Sequence, residues 1–161
     1  MRPVTPEHIG VVLALLDDVA KWMLAKGVQQ WESPPPQWVR DLIAEEIPKG
    51  NVFLAWLDGA VVGTVRLDWQ KDAMWPTERE AGYVYTLAVH PSQHGKRIGE
   101  AMLSWAAQRI RERGKRWMRL DCIASNQALR DYYSGQGFAF LGVVLDVGFE
   151  WALFEKEIKD W

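Results

Sequence analysis

The chain has 161 residues, nearly half apolar and a quarter charged, enough for one domain with a hydrophobic core and too few for two ordinary ones. A formal charge of −2 argues against a nucleic-acid binder, which carries a basic excess to neutralise phosphates. The single cysteine, Cys122, excludes an intrachain disulfide and a cysteine-based metal cluster. Together with the lack of an apolar leader in MRPVTPEHIG, it leads to the expectation of a cytoplasmic protein without a metal site. Ten tryptophans imply an aromatic-rich core or cleft.

Thr5, Pro6 and Glu7 read as the cap, first position and first turn of a helix running to Lys26. Its apolar residues, Ile9, Val12, Leu13, Leu16, Val19, Ala20 and Met23, recur at helical spacing. Three consecutive prolines bar a helix from GVQQWESPPP, and a second helix is expected from Gln37 to Ile47. Asp58-Gly59 between two apolar runs predicts a hairpin. After the polar stretch QKDAMWPTERE, the segment AGYVYTLAVH predicts a strand. Tyr83, Tyr85, Leu87 and Val89 fall on one face and Val84, Thr86 and Ala88 on the other. The turn PSQHGKRIG leads into a helix reaching about Arg113. A strand (RWMRLDCIA), a short helix (Asn126 to Gly135) and two strands in the tail complete a mixed α/β domain spanning 1–161.

The stretch LAVHPSQHGKRIG is a strand, a turn with small and basic residues, and a helix start. The first amides of a helix lack intrahelical acceptors and sit at the positive end of its dipole, so anions bind there. Gly95 and Gly99 permit close backbone approach, and Lys96 and Arg97 add positive charge. Such a turn is either a phosphate cradle or an ordinary strand-turn-helix corner.

LAVHPSQHGKRIGEAML resembles the signature motif of GNAT acetyltransferases, in which an apolar-Ala-Val strand enters an Arg/Gln-x-x-Gly-x-Gly/Ala loop. LDCIASNQALRDYYSGQGF resembles the family's second motif through Asn126, Leu129, Tyr133, Gly137 and Phe138. The motifs span about fifty residues in the family's order, and the element order extends the likeness over most of the chain. His94 stands at the Arg/Gln position and Arg97 at the first glycine. The resemblance implies one mixed, mostly antiparallel sheet of six or seven strands flanked by about four helices. It also implies transfer of the acetyl group of acetyl-CoA to an amine, by direct attack in a ternary complex.

By the same resemblance, Leu87, Ala88 and Val89 would meet the pantetheine arm and thioester carbonyl. His94, Gly95, Lys96, Arg97, Ile98 and Gly99 would hold the pyrophosphate. Asn126 would touch the cofactor or cap its helix. Tyr133 would be the general acid, with Tyr132 its competitor. Some relatives carry a glutamate where Tyr83 stands, so that base does not transfer; Glu80, Glu78 and Glu32 are alternatives. The catalytic candidates are Tyr133, Glu80 and Tyr83, and the acceptor-side candidates Trp31, Glu32 and Tyr85. Trp22 and Cys122 read as core residues, His8 and His90 as bystanders. The expected partner is a small amine, with a protein amine also open, and a homodimer through the C-terminal strands fits this kind of sheet. A non-catalytic CoA-binding or sensor module is the alternative.

Overall fold

The computed structural model describes residues 1–159. In chain order the elements are β1 (Arg2–Pro3), α1 (Ile9–Ala25), α2 (Gln37–Glu46), β2 (Val52–Leu57), β3 (Ala60–Asp68), β4 (Ala81–Val89), α3 (Ile98–Glu112), β5 (Trp117–Ile123), α4 (Gln127–Gly135), β6 (Ala139–Asp146) and β7 (Phe149–Glu157). The strands form one seven-stranded sheet in the order β1-β2-β3-β4-β5-β7-β6. β4 and β5 are parallel, joined through α3, while the β1-β2, β2-β3, β5-β7 and β6-β7 pairs are antiparallel; a parallel pair needs such a crossover. β1 escapes sequence reading because two residues show no period. No helix among the described residues is long and apolar enough to cross a membrane.

The chain folds as two compact units, Met1–Arg66 with Thr86–Leu103, and Leu67–Tyr85 with the chain from Ser104 onward. In the first, one stripe of α1 (Val12, Leu15, Leu16, Val19, Met23) packs with Ile43, Ile47, Val52, Leu54 and Ala88. Asp58 and Gly59 take φ of 51° and 79°, the left-handed pair that a tight hairpin turn demands. Gly63 is required by contact: a Cβ there would lie 2.7 Å from Met102 Sδ and 2.9 Å from the Ala88 carbonyl oxygen. Two expectations change. Thr5 does not cap α1; its hydroxyl meets His8 Nδ1 at 2.9 Å, a 3₁₀ turn occupies Pro6–His8, and the α-helix begins at Ile9. Trp22 is not core but 38% exposed, with its ring edge-on to His94 at 4.7 Å.

In the second unit Trp75, Ala81, Tyr83 and Leu153 form the core of one cluster, and Tyr133 packs on Phe138 and Phe154. The polar stretch before β4 is anchored by Arg119, which is 0% exposed. Its Nε donates to Glu155 Oε2 (3.0 Å), Nη1 to the Thr77 carbonyl (2.7 Å) and Nη2 to Thr77 Oγ1 (2.8 Å), and its guanidinium lies 4.9 Å from the Trp75 ring centre. A buried guanidinium persists only when its donors are used in this way. β6 is the opposite case: an edge strand with Phe140, Leu141, Val143 and Leu145 exposed.

Candidate active site

β4 does not keep the strict two-face alternation expected of it. Thr86 has φ of 55°, an uncommon conformation for a β-branched residue and one that marks a functional or strained position. The register with β5 covers Ala81–Tyr83 against Trp117–Arg119, so the pairing ends before this kink. Beyond it, the His90 amide donates to the Val62 carbonyl of β3 at 2.8 Å. Strand period two then turns the amides of Leu87 and Val89 to the edge away from β3. Two main-chain donors two residues apart along one strand edge can hold a polar ligand or stabilise charge developing on an oxygen.

The turn after β4 is built around His90, which caps a 3₁₀ turn (Pro91–Gln93) by accepting from the Ser92 amide. Its Nδ1 also meets Ser92 Oγ at 2.7 Å, and its Nε2 meets Asp18 Oδ2 at 3.3 Å. His90 is thus a brace between α1 and the turn rather than a bystander. The amides of Gly95, Lys96 and Arg97 meet no acceptor among the described residues, and those of Ile98 and Gly99 open α3, where no acceptor lies a turn below. Gly95 takes φ of 83° with open space where a Cβ would sit. Arg97 sits in the left-handed region, φ of 59°, the backbone conformation a glycine would take without strain. Its Nε and Nη2 donate to the Glu100 carboxylate, both at 2.8 Å, and its side chain is 79% exposed. The guanidinium therefore lies on the first turn of α3 and leaves the amides uncovered. This run of outward donors at a helix N-terminus fits a phosphate or pyrophosphate. His94 Nε2 lies 3.0 Å from the Val89 carbonyl, which only accepts, so that nitrogen donates and ties the turn to the strand. An apolar pocket of about 210 Å³, lined by Trp56, Leu57, Val62, Ile98, Ala101 and Met102 among others, flanks the start of α3. Its lining lacks the charged groups that would orient an amine.

Asn126 caps α4: its Oδ1 accepts from the Leu129 amide at 3.1 Å at the start of that helix. Tyr133, two turns on from Asn126, is 4% exposed, and no hydrogen bond of its hydroxyl is seen among the described residues. Burial first, then the charges of Cys122 and Asp121, push its phenol well above the usual tyrosine range, so it is a protonated donor at neutral pH. Tyr132 is solvent-exposed. Cys122 is buried, and burial pushes its thiol up to about 12, which removes thiolate nucleophilicity at neutral pH.

The candidate bases fare differently from one another. Glu80 is exposed; its carbonyl, accepting from the Arg116 and Trp117 amides at 2.9 and 3.0 Å, is the part the fold uses. Tyr83 is buried between Trp75 and Tyr85, with its hydroxyl 3.4 Å from Arg119 Nη1, so it serves the core. Trp31 is half-buried against the α1 cluster, and Glu32 and Glu78 are exposed. Tyr85 is the acceptor-side candidate with a built environment. Its hydroxyl donates to Asp72 Oδ2 at 3.0 Å, its ring stacks on Tyr83 (6.3 Å, 10°), and burial followed by the Asp72 charge raises its phenol well above the usual range. Asp121 was read only as a strand residue. Its charge contributes to the raised phenols of both Tyr85 and Tyr133, and no local signal in the sequence marked it, because its neighbours are set by strand register.

The sequence model of the Acetyltransferase (GNAT) family matches residues 15–138. The chain is 32% identical over 164 residues to a Bacillus subtilis (strain 168) protein named Uncharacterized N-acetyltransferase YesJ, covering 97% of this chain and 88% of that one. A GNAT-family acetyltransferase structure from Listeria monocytogenes 4b F2365 superposes with a TM-score of 0.73 at 26% identity, over 97% of this chain and 92% of the other. The PaiA N-acetyltransferase of Thermoplasma acidophilum, solved with coenzyme A, has the same fold (TM-score 0.73, 16% identity, 97% and 96% covered). The phosphate-fitting turn, the kinked strand and the family match agree: this chain belongs to the GNAT acetyltransferases and is an acyltransferase.

Proposed function

We propose that the protein transfers the acetyl group of acetyl-CoA to a primary amine without a covalent enzyme intermediate. The observation that carries this reading is the run of outward amides from Gly95 to Gly99, continuous in sequence with the Leu87 and Val89 amides on the free edge of β4. Acetyl-CoA supplies an acetyl group activated as a thioester. The turn amides bind its pyrophosphate, the dipole of α3 adding to their charge. The Leu87 and Val89 amides hold the negative charge that gathers on the carbonyl oxygen. The Tyr133 hydroxyl, kept protonated by burial, donates toward the departing sulfur, and the proton released by the attacking nitrogen passes through water to balance the one the thiol gains. Direct transfer is favoured because the single thiol, Cys122, is buried and protonated.

The test is release of free CoA thiol with a panel of amines, alongside calorimetry with CoA. The expected result is heat on CoA binding and turnover that collapses in Tyr133→Phe. Tight CoA binding without turnover on any amine would move the protein to the sensor reading. No heat at all removes the cofactor assignment.

A further inference from the structure

We propose that Asp18 and Trp22 of α1 are positioning residues for the cofactor: they hold His90 and His94 and so set in advance the outward amides of the turn. This rests on the acetyl-transfer reading and adds to it what shapes the pyrophosphate cradle. All these groups lie in one compact unit, Met1–Arg66 with Thr86–Leu103. Positions four apart on a helix share a face, so Asp18 and Trp22 form one column along α1. Asp18 Oδ2 lies 3.3 Å from His90 Nε2, and the Trp22 indole stands edge-on to the His94 ring with centres 4.7 Å apart. Lys26, the next position of the column, lies over the Trp22 ring at 5.1 Å and steadies the indole.

The contacts are directional. The Ser92 amide reaches His90 Nδ1 at 3.2 Å. An amide only donates, so Nδ1 is the bare nitrogen and Nε2 carries the proton that faces the Asp18 carboxylate. His94 Nε2 donates to the Val89 carbonyl at 3.0 Å. The His90 and Pro91 carbonyls accept from the Gln93 and His94 amides at 2.9 and 3.3 Å. The carbonyls of residues 89–91 are thus taken up within the turn, and the groups it offers beyond them are amides. A free chain seldom keeps this shape. Gly95 and Arg97 both sit at positive φ, 83° and 59°, and a side chain is strained there. A loop that must be ordered as its ligand arrives loses affinity by that cost. Asp18 and Trp22 fasten the turn at two points to a 17-residue helix whose apolar stripe lies in the core. The His90 and Asp18 side chains are 34% and 53% exposed, so their pairing is screened and each contact shifts binding by a few-fold rather than a hundredfold.

The experiment reads the turn first without ligand and then with CoA. Amide order parameters for residues 95–99 are measured by nitrogen-15 relaxation in the native protein, Asp18→Ala, Trp22→Ala, their double variant and Asp18→Asn. CoA calorimetry and initial rates follow on the same proteins. Native values near about 0.85, typical of rigid backbone, should fall toward about 0.6 in the double variant. The Kd for CoA and the KM for acetyl-CoA should rise about threefold in each single variant and about tenfold in the double variant, with kcat at saturating acetyl-CoA unchanged within about twofold. Asp18→Asn, which keeps an acceptor for His90, should retain most of the affinity. His90→Asn keeps a cap for the Ser92 amide but is too short to reach Asp18, so adding Asp18→Ala to it should weaken binding no further. Native order parameters already below about 0.6, order parameters or a Kd unchanged in the double variant, or fully additive losses from His90→Asn and Asp18→Ala would overturn the inference. If the native protein gives no heat with CoA, the acetyl-transfer reading fails, and the order parameters alone decide the positioning role: a fall in the double variant upholds it, and no fall overturns it.

Discussion

In the turn at 90–99 the groups proposed to meet the cofactor are main-chain amides, whereas the face around Tyr85 is built from interacting side chains. The turn is exposed, and its departures from the family pattern leave its donors in place. Arg97 takes a positive φ and folds its guanidinium onto Glu100, and His94 braces Val89. The Tyr85 face is half-buried and crowded, and each group on it has a distinct partner or environment. A cradle of backbone donors tolerates side-chain change, whereas a side-chain cluster depends on each residue keeping its partner.

Perturbing the two regions should give a graded series. The largest expected effect is on the framework behind the Tyr85 face. Arg119→Ala leaves Glu155 buried without its main partner, and a denaturant midpoint shift equivalent to about 3–5 kcal/mol is expected; a shift below about 1 kcal/mol would show that the pair is not truly desolvated. Tyr133→Phe should lower kcat by about a hundredfold or more with KM for acetyl-CoA little changed, read from initial rates. In the turn, Gly95→Val forces a β-branched residue to φ of 83°, which costs about 1–2 kcal/mol. Calorimetry should show CoA binding weakened by about tenfold.

A smaller effect is the pH dependence carried by Cys122. Its thiol is raised to about 12 in the folded chain from about 8.5 when unfolded. The folded state is thus favoured fully below the unfolded value, and that contribution is lost as pH climbs toward 12. Stability measured between pH 8 and pH 11 should fall less steeply in Cys122→Ala than in the native chain. The smallest effect is expected for Arg97→Gly, whose side chain is exposed and paired on the surface: CoA affinity should change by less than about threefold. A large loss there would mean that Arg97 leaves Glu100 to grip the phosphate, and the contrast between the regions would weaken.

Legibility in the sequence follows the same division. The hairpin at Asp58-Gly59, the start of α3 and the turn before it could be read because glycine and proline report backbone angles directly. The amphipathic stripe of α1 could be read because burial of one face leaves a period. Thr86 could not, since a β-branched residue at positive φ contradicts its local preference and is held there by its surroundings. Asn126 had two roles open, and the cap became visible only in the 3.1 Å bond from the Leu129 amide. Trp22 read as core on composition, yet its indole packs on His94 at the surface.

By itself, then, the sequence determined the element order from α1 onward, the turn before α3 and the family resemblance, all of which rest on local backbone preference and short-range spacing. The tertiary structure decided which charges are buried and which side chains share a face. Arg119 meets Thr77 and Glu155 across 42 and 36 residues, and Tyr85 meets Asp72 from another segment. Such pairings depend on strand register and packing, and these are properties of the assembled sheet that no local window of residues contains.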